Sequence, residues 1–157
     1  VTPEAARGPA GDDVLVVAAS PAGYDVATLC DAYVAARGAG DRPRYALRLV
    51  IEELLTNVAK YAGARGSVEV RVRAGADGIS VRIEDDGVAF DPTAAVAPAA
   101  PTTIEAARVG GLGLKLVRAS VRRMTYRRER GRNVVECEIP LDDAAHDARK
   151  RDEPPAA

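Results

Sequence analysis

The stretch Ile79-Ser-Val-Arg-Ile-Glu-Asp-Asp-Gly-Val-Ala-Phe-Asp-Pro92 decides how the rest of the chain is read. From Ile79 to Asp85 it alternates, with Ile79, Val81 and Ile83 on one face, the pattern of a half-buried strand. The same alternation turns Asp85 toward the apolar face and Asp86 away from it. Asp-Gly between strands is a strong turn signal. The residues after Gly87, however, do not resume alternation but run into a stretch rich in Pro and Ala, so no partner strand comes directly after the turn. A carboxylate facing a core needs a hydrogen-bond donor, because burying it unpaired is costly enough to force a partner or neutralisation. The exocyclic amino group of adenine is such a donor, which makes Asp85 rather than Asp86 the expected ligand contact.

Outward from this strand the chain reads as one domain. Ser67 to Arg73 alternates with Val68, Val70 and Val72 inward, and pairs naturally with Ile79 to Asp85. Before it, a long helix is expected from Asp41, as N-cap with Pro43 in the first turn, to about Ala62, stopping at Gly63. Its apolar stripe is Leu47, Val50, Leu54, Val58 and Tyr61. Asp13 to Ala19 reads as a strand and Tyr24 to Arg37 as a helix closed by Gly38 and Gly40. Residues 92–109 hold three prolines and no sustained period, and a loop of this length inside a compact domain is usually functional or disordered. After Gly113 a helix is expected with Leu114, Val117, Val121 and Met124 on one face. Tyr126 to Arg128 and Asn133 to Leu141 then form a hairpin around Glu129-Arg130-Gly131-Arg132. This order is not the strict alternation of a doubly wound parallel sheet. It predicts an α+β fold, a two-layer sandwich with helices on one face of a mixed, mainly antiparallel sheet. Residues 1–12 and 142–157 are expected to be unstructured, with the domain at 13–141.

Composition sets the outer limits. With 157 residues there is room for one core, and 47% apolar with 29% charged residues is the balance of an ordinary globule. A formal net charge of -1 gives no push toward nucleic acid. No apolar run of about 18 residues exists to span a bilayer, and no signal pattern opens the chain, so the expectation is a cytoplasmic protein without a membrane partner. Cys30 and Cys137 lack metal-site spacing and read as buried reduced thiols.

Three constellations carry chemistry. On the long helix Glu53, Asn57 and Lys60 are spaced by four and three residues and share one face. Glu can serve as a base, Asn offers a neutral oxygen to a hard cation, and Lys can meet a phosphate, although a solvated polar face has the same pattern. The second constellation is the Asp85–Gly87 turn. The third, Gly110-Gly-Leu-Gly-Leu-Lys-Leu-Val117, opens a helix with exposed backbone amides where phosphate is favoured. It is neither a Rossmann fingerprint nor a Walker loop, and alone it reads equally as a flexible helix entry.

Taken in order, these motifs resemble the GHKL ATPase superfamily of gyrase, MutL and sensor histidine kinases. In detail, Glu52-Glu-Leu-Leu-Thr-Asn-Val-Ala-Lys-Tyr-Ala62, Asp85-Asp-Gly-Val-Ala-Phe-Asp-Pro92, the Gly110–Val117 turn and Tyr126-Arg-Arg-Glu-Arg-Gly-Arg-Asn-Val134 look like RsbW-type anti-sigma-factor serine/threonine kinases. The resemblance implies Mg-ATP binding with Asn57 on the metal, Asp85 on adenine, Gly87 beside the base, and Gly111 and Gly113 around the phosphates. Leu112, Leu114 and Lys60 would complete the nucleotide site, Glu53 would match the family's catalytic base, and residues 92–109 its ATP lid. It further implies a STAS-type anti-sigma-factor antagonist as substrate, a sigma factor as partner, and a homodimer. Ala89 departs from the wider superfamily's Asp-x-Gly-x-Gly box, and Lys115 reads as an exposed helix lysine. Two rivals remain. One is a nucleotide-gated interaction module without transfer activity, against which Glu53 stands. The other is a detached sensor-kinase ATPase module, which the lone His146 in the polar tail and the lack of a preceding phosphoacceptor hairpin disfavour.

Overall fold

The computed structural model describes residues 5–7, 14–19, 25–61, 68–94 and 112–141. Strands β1 (Ala5–Arg7) and β2 (Val14–Ala19) lead into helices α1 (Asp25–Ala35) and α2 (Asp41–Tyr61). Strands β3 (Val68–Gly75) and β4 (Gly78–Asp85) come next, then helix α3 (Leu112–Ser120) and strands β5 (Arg123–Glu129) and β6 (Arg132–Ile139). The sheet order is β1-β2-β3-β4-β6-β5, and each pairing between the described strands is antiparallel. All three helices lie on its apolar face, giving the expected α+β sandwich. Ala5–Arg7, expected within an unstructured segment, instead pairs with β2 as an edge strand. The rest of 1–12 and all of 142–157 lie outside the described residues.

Local chemistry explains the element ends. Helix α1 stops at Gly38, whose φ of 80° is open to a residue without Cβ. There the Ala39 amide donates to the Val34 carbonyl (3.1 Å) and the Gly38 amide to Ala35 (3.0 Å), the bond pair that closes a Schellman motif. At the start of α2 the Arg44 amide donates to the Gly40 carbonyl (3.3 Å), so Gly40 is the N-cap. Asp41, expected as the cap, is instead the first helical residue, where its charge still suits the helix dipole.

Strand alternation holds as predicted: Val68, Val70 and Val72 of β3 and Ile79, Val81 and Ile83 of β4 are buried. On α2 the expected stripe of Leu47, Val50, Leu54 and Val58 is buried, and Ile51 and Leu55 join it. The stripe is wider than periodicity suggested because α2 is the middle helix, packed on α1, α3 and the sheet. The side chain of Tyr61 lies outside the described set. One helix boundary is corrected: α3 ends at Ser120, and Met124 belongs to β5. There the Arg122 amide donates to the Glu138 carbonyl (2.7 Å), and ladder bonding to β6 replaces the helical pattern. Burial pushes both cysteine thiols up to about 12, as expected of unreactive core residues.

The opposite sheet face is charged. Arg82 bridges Glu84 (2.6 Å) and Glu136 (2.7 Å), and Arg127 reaches Glu136 (2.6 Å) and Glu129. Hydrogen bonding from Arg127, aided by Arg82, holds the Glu136 carboxyl down at about 2.

One ion pair ties α1 to α2: Arg44 grips Asp31 through both guanidinium ends, Nε to Oδ1 and Nη2 to Oδ2, each at 2.8 Å. Its hydrogen bond, with the nearby positive charge of Arg48 adding to it, lowers the Asp31 carboxyl below the usual range. A folded-state value lowered in this way contributes stability above the ordinary aspartate value near 3.9, and that contribution disappears as pH falls through the folded value. Asp31→Asn should therefore lower the thermal midpoint by a few degrees at pH 7, and the difference from the parent should close as pH falls below the ordinary aspartate value. Parallel melting curves across that range check it. A gap that does not narrow with acidification assigns the loss to packing rather than charge.

Candidate functional site

Strand β4 ends at Asp85, which pairs in register with Asn133 at the start of β6. Asp85 is 5% exposed and Asn133 2%, and they are the two buried polar side chains among the described residues. Asn133 is the hub. Its Nδ2 donates to Asp85 Oδ1 (2.8 Å) and the Val88 carbonyl (2.9 Å). Its Oδ1 accepts from Tyr126 Oη (3.0 Å), Arg128 Nη1 (2.7 Å) and the Phe90 amide (3.4 Å). The Gly87 amide also donates to Asp85 Oδ1 (2.9 Å), while the Gly87 carbonyl accepts from Arg128 (2.8 Å).

The inward placement of Asp85 and the outward placement of Asp86 agree with the alternation. The donors, however, come from the chain itself, because β6 lies beside β4 and brings Asn133 opposite the carboxylate. Both act on Oδ1, so Oδ2 is the atom through which Asp85 can accept a further donor.

A small cavity opens beside this pair. It is walled by Leu54, Asn57 and Val58 of α2 on one side, by Asp85, Asn133 and Val135 of the sheet on the other, and by Phe90 and Pro92 across the end. Asn57 Nδ2 is buried and makes no hydrogen bond. Leaving a buried amide unpaired costs about 1–3 kcal/mol, so in a native protein it signals a missing partner. Rotation of the amide by 180° presents Oδ1 to the same place.

Glu53, one turn before Asn57, is half-buried against α3: a Cβ added at Gly113 would lie 1.9 Å from Glu53 Oε2. The first and third constellations are therefore in contact. Lys60 is exposed in the last turn of α2. Leu112 is 66% exposed, whereas Leu114 is buried in the core, which makes its side chain a packing residue. Lys115 is exposed, as expected. Gly111 lies outside the described residues, as does the 92–109 segment beyond Ala94. The first residues of that segment are fastened. Asp91 Oδ1 accepts from the Thr93 amide (2.8 Å) and hydroxyl (2.6 Å), and Arg118 Nη2 donates to the carbonyls of Pro92 (2.6 Å) and Thr93 (2.9 Å).

Sequence reasoning missed Asn133, although the signal was present. Alternation along β6 puts Asn133 on the same face as Val135, Cys137 and Ile139, which is the argument that found Asp85. The contacts of Arg128 with Gly87, of Phe90 with Asn133 and of Arg118 with Pro92 and Thr93 had no such local signal, since they join residues 25 to 43 apart.

Residues 17–139 match the model of the histidine kinase-like ATPase domain. The chain is also similar to the serine/threonine-protein kinase BtrW of Bordetella bronchiseptica, at 33% identity over 95 residues that cover 59% of this chain and 67% of that protein. With a match that spans most of its length and the expected sandwich, the chain belongs to the histidine kinase-like ATPase family.

Proposed function

We propose that this ATPase-family domain is a protein serine/threonine kinase of the anti-sigma-factor type. In this reading it transfers the γ-phosphoryl group of Mg-ATP to a serine of a STAS-type antagonist, binds a sigma factor, and works as a cytoplasmic homodimer. The observation that carries the nucleotide part is the unpaired Nδ2 of Asn57, facing the buried carboxylate of Asp85 across the cavity. The polar groups of Asn57 and Asp85 that converge on this apolar cleft are of the kind that meet the edge of a purine base and the cation beyond it. Asp85 Oδ2 would take the donor of adenine, with Gly87 beside the ring. Asn57 would give one oxygen to magnesium, a cation that keeps water and phosphate oxygens as its other ligands. The amides at 111 and 113, with Leu112, would face the phosphates from the start of α3, and exposed Lys60 could approach them from α2.

The transfer part is supported by Glu53 and by the name of the similar Bordetella protein. Glu53 would accept the proton of the serine hydroxyl as its oxygen bonds to the γ-phosphorus and the β,γ-bridging oxygen departs with ADP. Among the described residues no helix is long and apolar enough to cross a membrane.

Calorimetric titration tests the nucleotide site. ATP should bind more tightly with magnesium than with EDTA, and Asn57→Ala should remove that difference while leaving the fold intact. Absence of ATP binding by the folded domain at high protein concentration rejects the reading altogether. Incubation with γ-labelled ATP and serine-bearing STAS proteins tests the kinase. Binding without transfer favours a nucleotide-gated interaction module. Capture from native cytoplasm, with ATP and then with ADP, identifies the partners.

A further inference from the structure

Gly113 is unusual for its position. It is the second residue of α3, and glycine is less favourable than alanine in a helix, by up to about 1 kcal/mol at interior positions. Backbone geometry does not call for it, since the positive-φ glycines among the described residues are Gly38, Gly78 and Gly131. Space does. An added Cβ would lie 1.9 Å from Oε2, 2.2 Å from Cδ and 2.7 Å from Oε1 of Glu53, inside the carboxylate itself. That carboxylate sits against the first turn of α3, which has no acidic residue of its own to meet the positive end of the helix dipole. Glu53 supplies the charge from α2.

We propose that Gly113 is a positioning residue for Glu53. The missing side chain lets the carboxylate rest on the first turn of α3, and this sets the base relative to the helix end expected to face the phosphates. The inference rests on the reading of Glu53 as the base. The atoms in the way belong to the far end of a flexible side chain, so Gly113→Ala displaces Glu53 rather than α3, and the amide at 113 stays available.

Two measurements on the intact chain test this. The first is a stability cycle that needs no activity. In a Glu53→Ala background, Gly113→Ala should raise the thermal midpoint by up to about 2–4 °C, the worth of its helix propensity, whereas with Glu53 present the rise should be absent or reversed. An equal rise in both backgrounds overturns the proposal. The second is phosphate release from Mg-ATP, with water as acceptor and Glu53 taking the proton. Gly113→Ala should lower kcat about tenfold or more with KM for ATP unchanged, as small displacements of a reacting group do. It should add no loss to Glu53→Gln. A parental kcat, or a KM that rises in step with the loss, overturns the proposal, the latter by assigning Gly113 to the phosphates. If Glu53→Gln turns over like the parent while the stability coupling is present, it is the base assignment that fails, and Gly113 serves only to seat the side chain.

Discussion

Glu53→Gln should bind Mg-ATP as tightly as the parent and phosphorylate a serine-bearing antagonist at least about a hundredfold more slowly, the lower end of general-base contributions. The substitution keeps the shape of the side chain and removes its charge. Phosphoryl transfer depends chiefly on positioning and charge stabilisation, so a base that orients the attacking hydroxyl acts on turnover and not on ground-state affinity. Glu52 is the internal control. It is rotated about 100° around α2, is exposed, and pairs with Arg48 at 3.5 Å on the solvent side. Glu52→Gln should leave both affinity and turnover close to parental. If it proves the more damaging of the two, the catalytic face of α2 has been misassigned. Radiolabel transfer rates under single-turnover conditions, set beside calorimetric affinities, separate the two effects.

Asp85→Asn should weaken ATP binding by about 1.5–3 kcal/mol, a loss of roughly ten- to a hundredfold, while Asp86→Asn changes it less than about twofold. The contrast arises from the hydrogen bonds. In Asp85→Asn the amide oxygen can still accept from Asn133 Nδ2 and the Gly87 amide, so the turn survives. The other position then carries an NH2 group, a donor facing the donor of the base. Asp86 is exposed and shares none of these bonds. Asn133→Ala supplies an independent check. It removes the group that fixes Asp85 and the backbone at Val88 and Phe90, and should weaken ATP while Asp85 itself is unchanged. Equal affinities for the Asp85 and Asp86 variants, measured by titration with ATP and with GTP as a base control, would falsify the adenine assignment.

What the sequence determined by itself is whatever local periodicity encodes. Period-two alternation placed Asp85 inward and Asp86 outward, and a 3.6-residue repeat put Leu47, Val50, Leu54 and Val58 into the core. Spacing of four set Glu53 and Asn57 on one face, and Gly38 marked a helix end that its positive φ explains. These features depend on residues within a turn or two of each other, so they survive without knowledge of the fold. Tertiary structure decided the rest. Inserting β6 between β4 and β5 brought Asn133 to Asp85 across 48 residues and supplied from within the chain the donor that Asp85 needed. The same pairing cut α3 short at Ser120, because ladder bonds from Arg122 onward outweighed a helical pattern that extended to Met124. Close approach of α3 to α2 gave Gly113 its reason, a carboxylate where a side chain would stand. Which strand neighbours which, and how near two helices come, depends on the fit of whole surfaces, and no short window of residues contains that information.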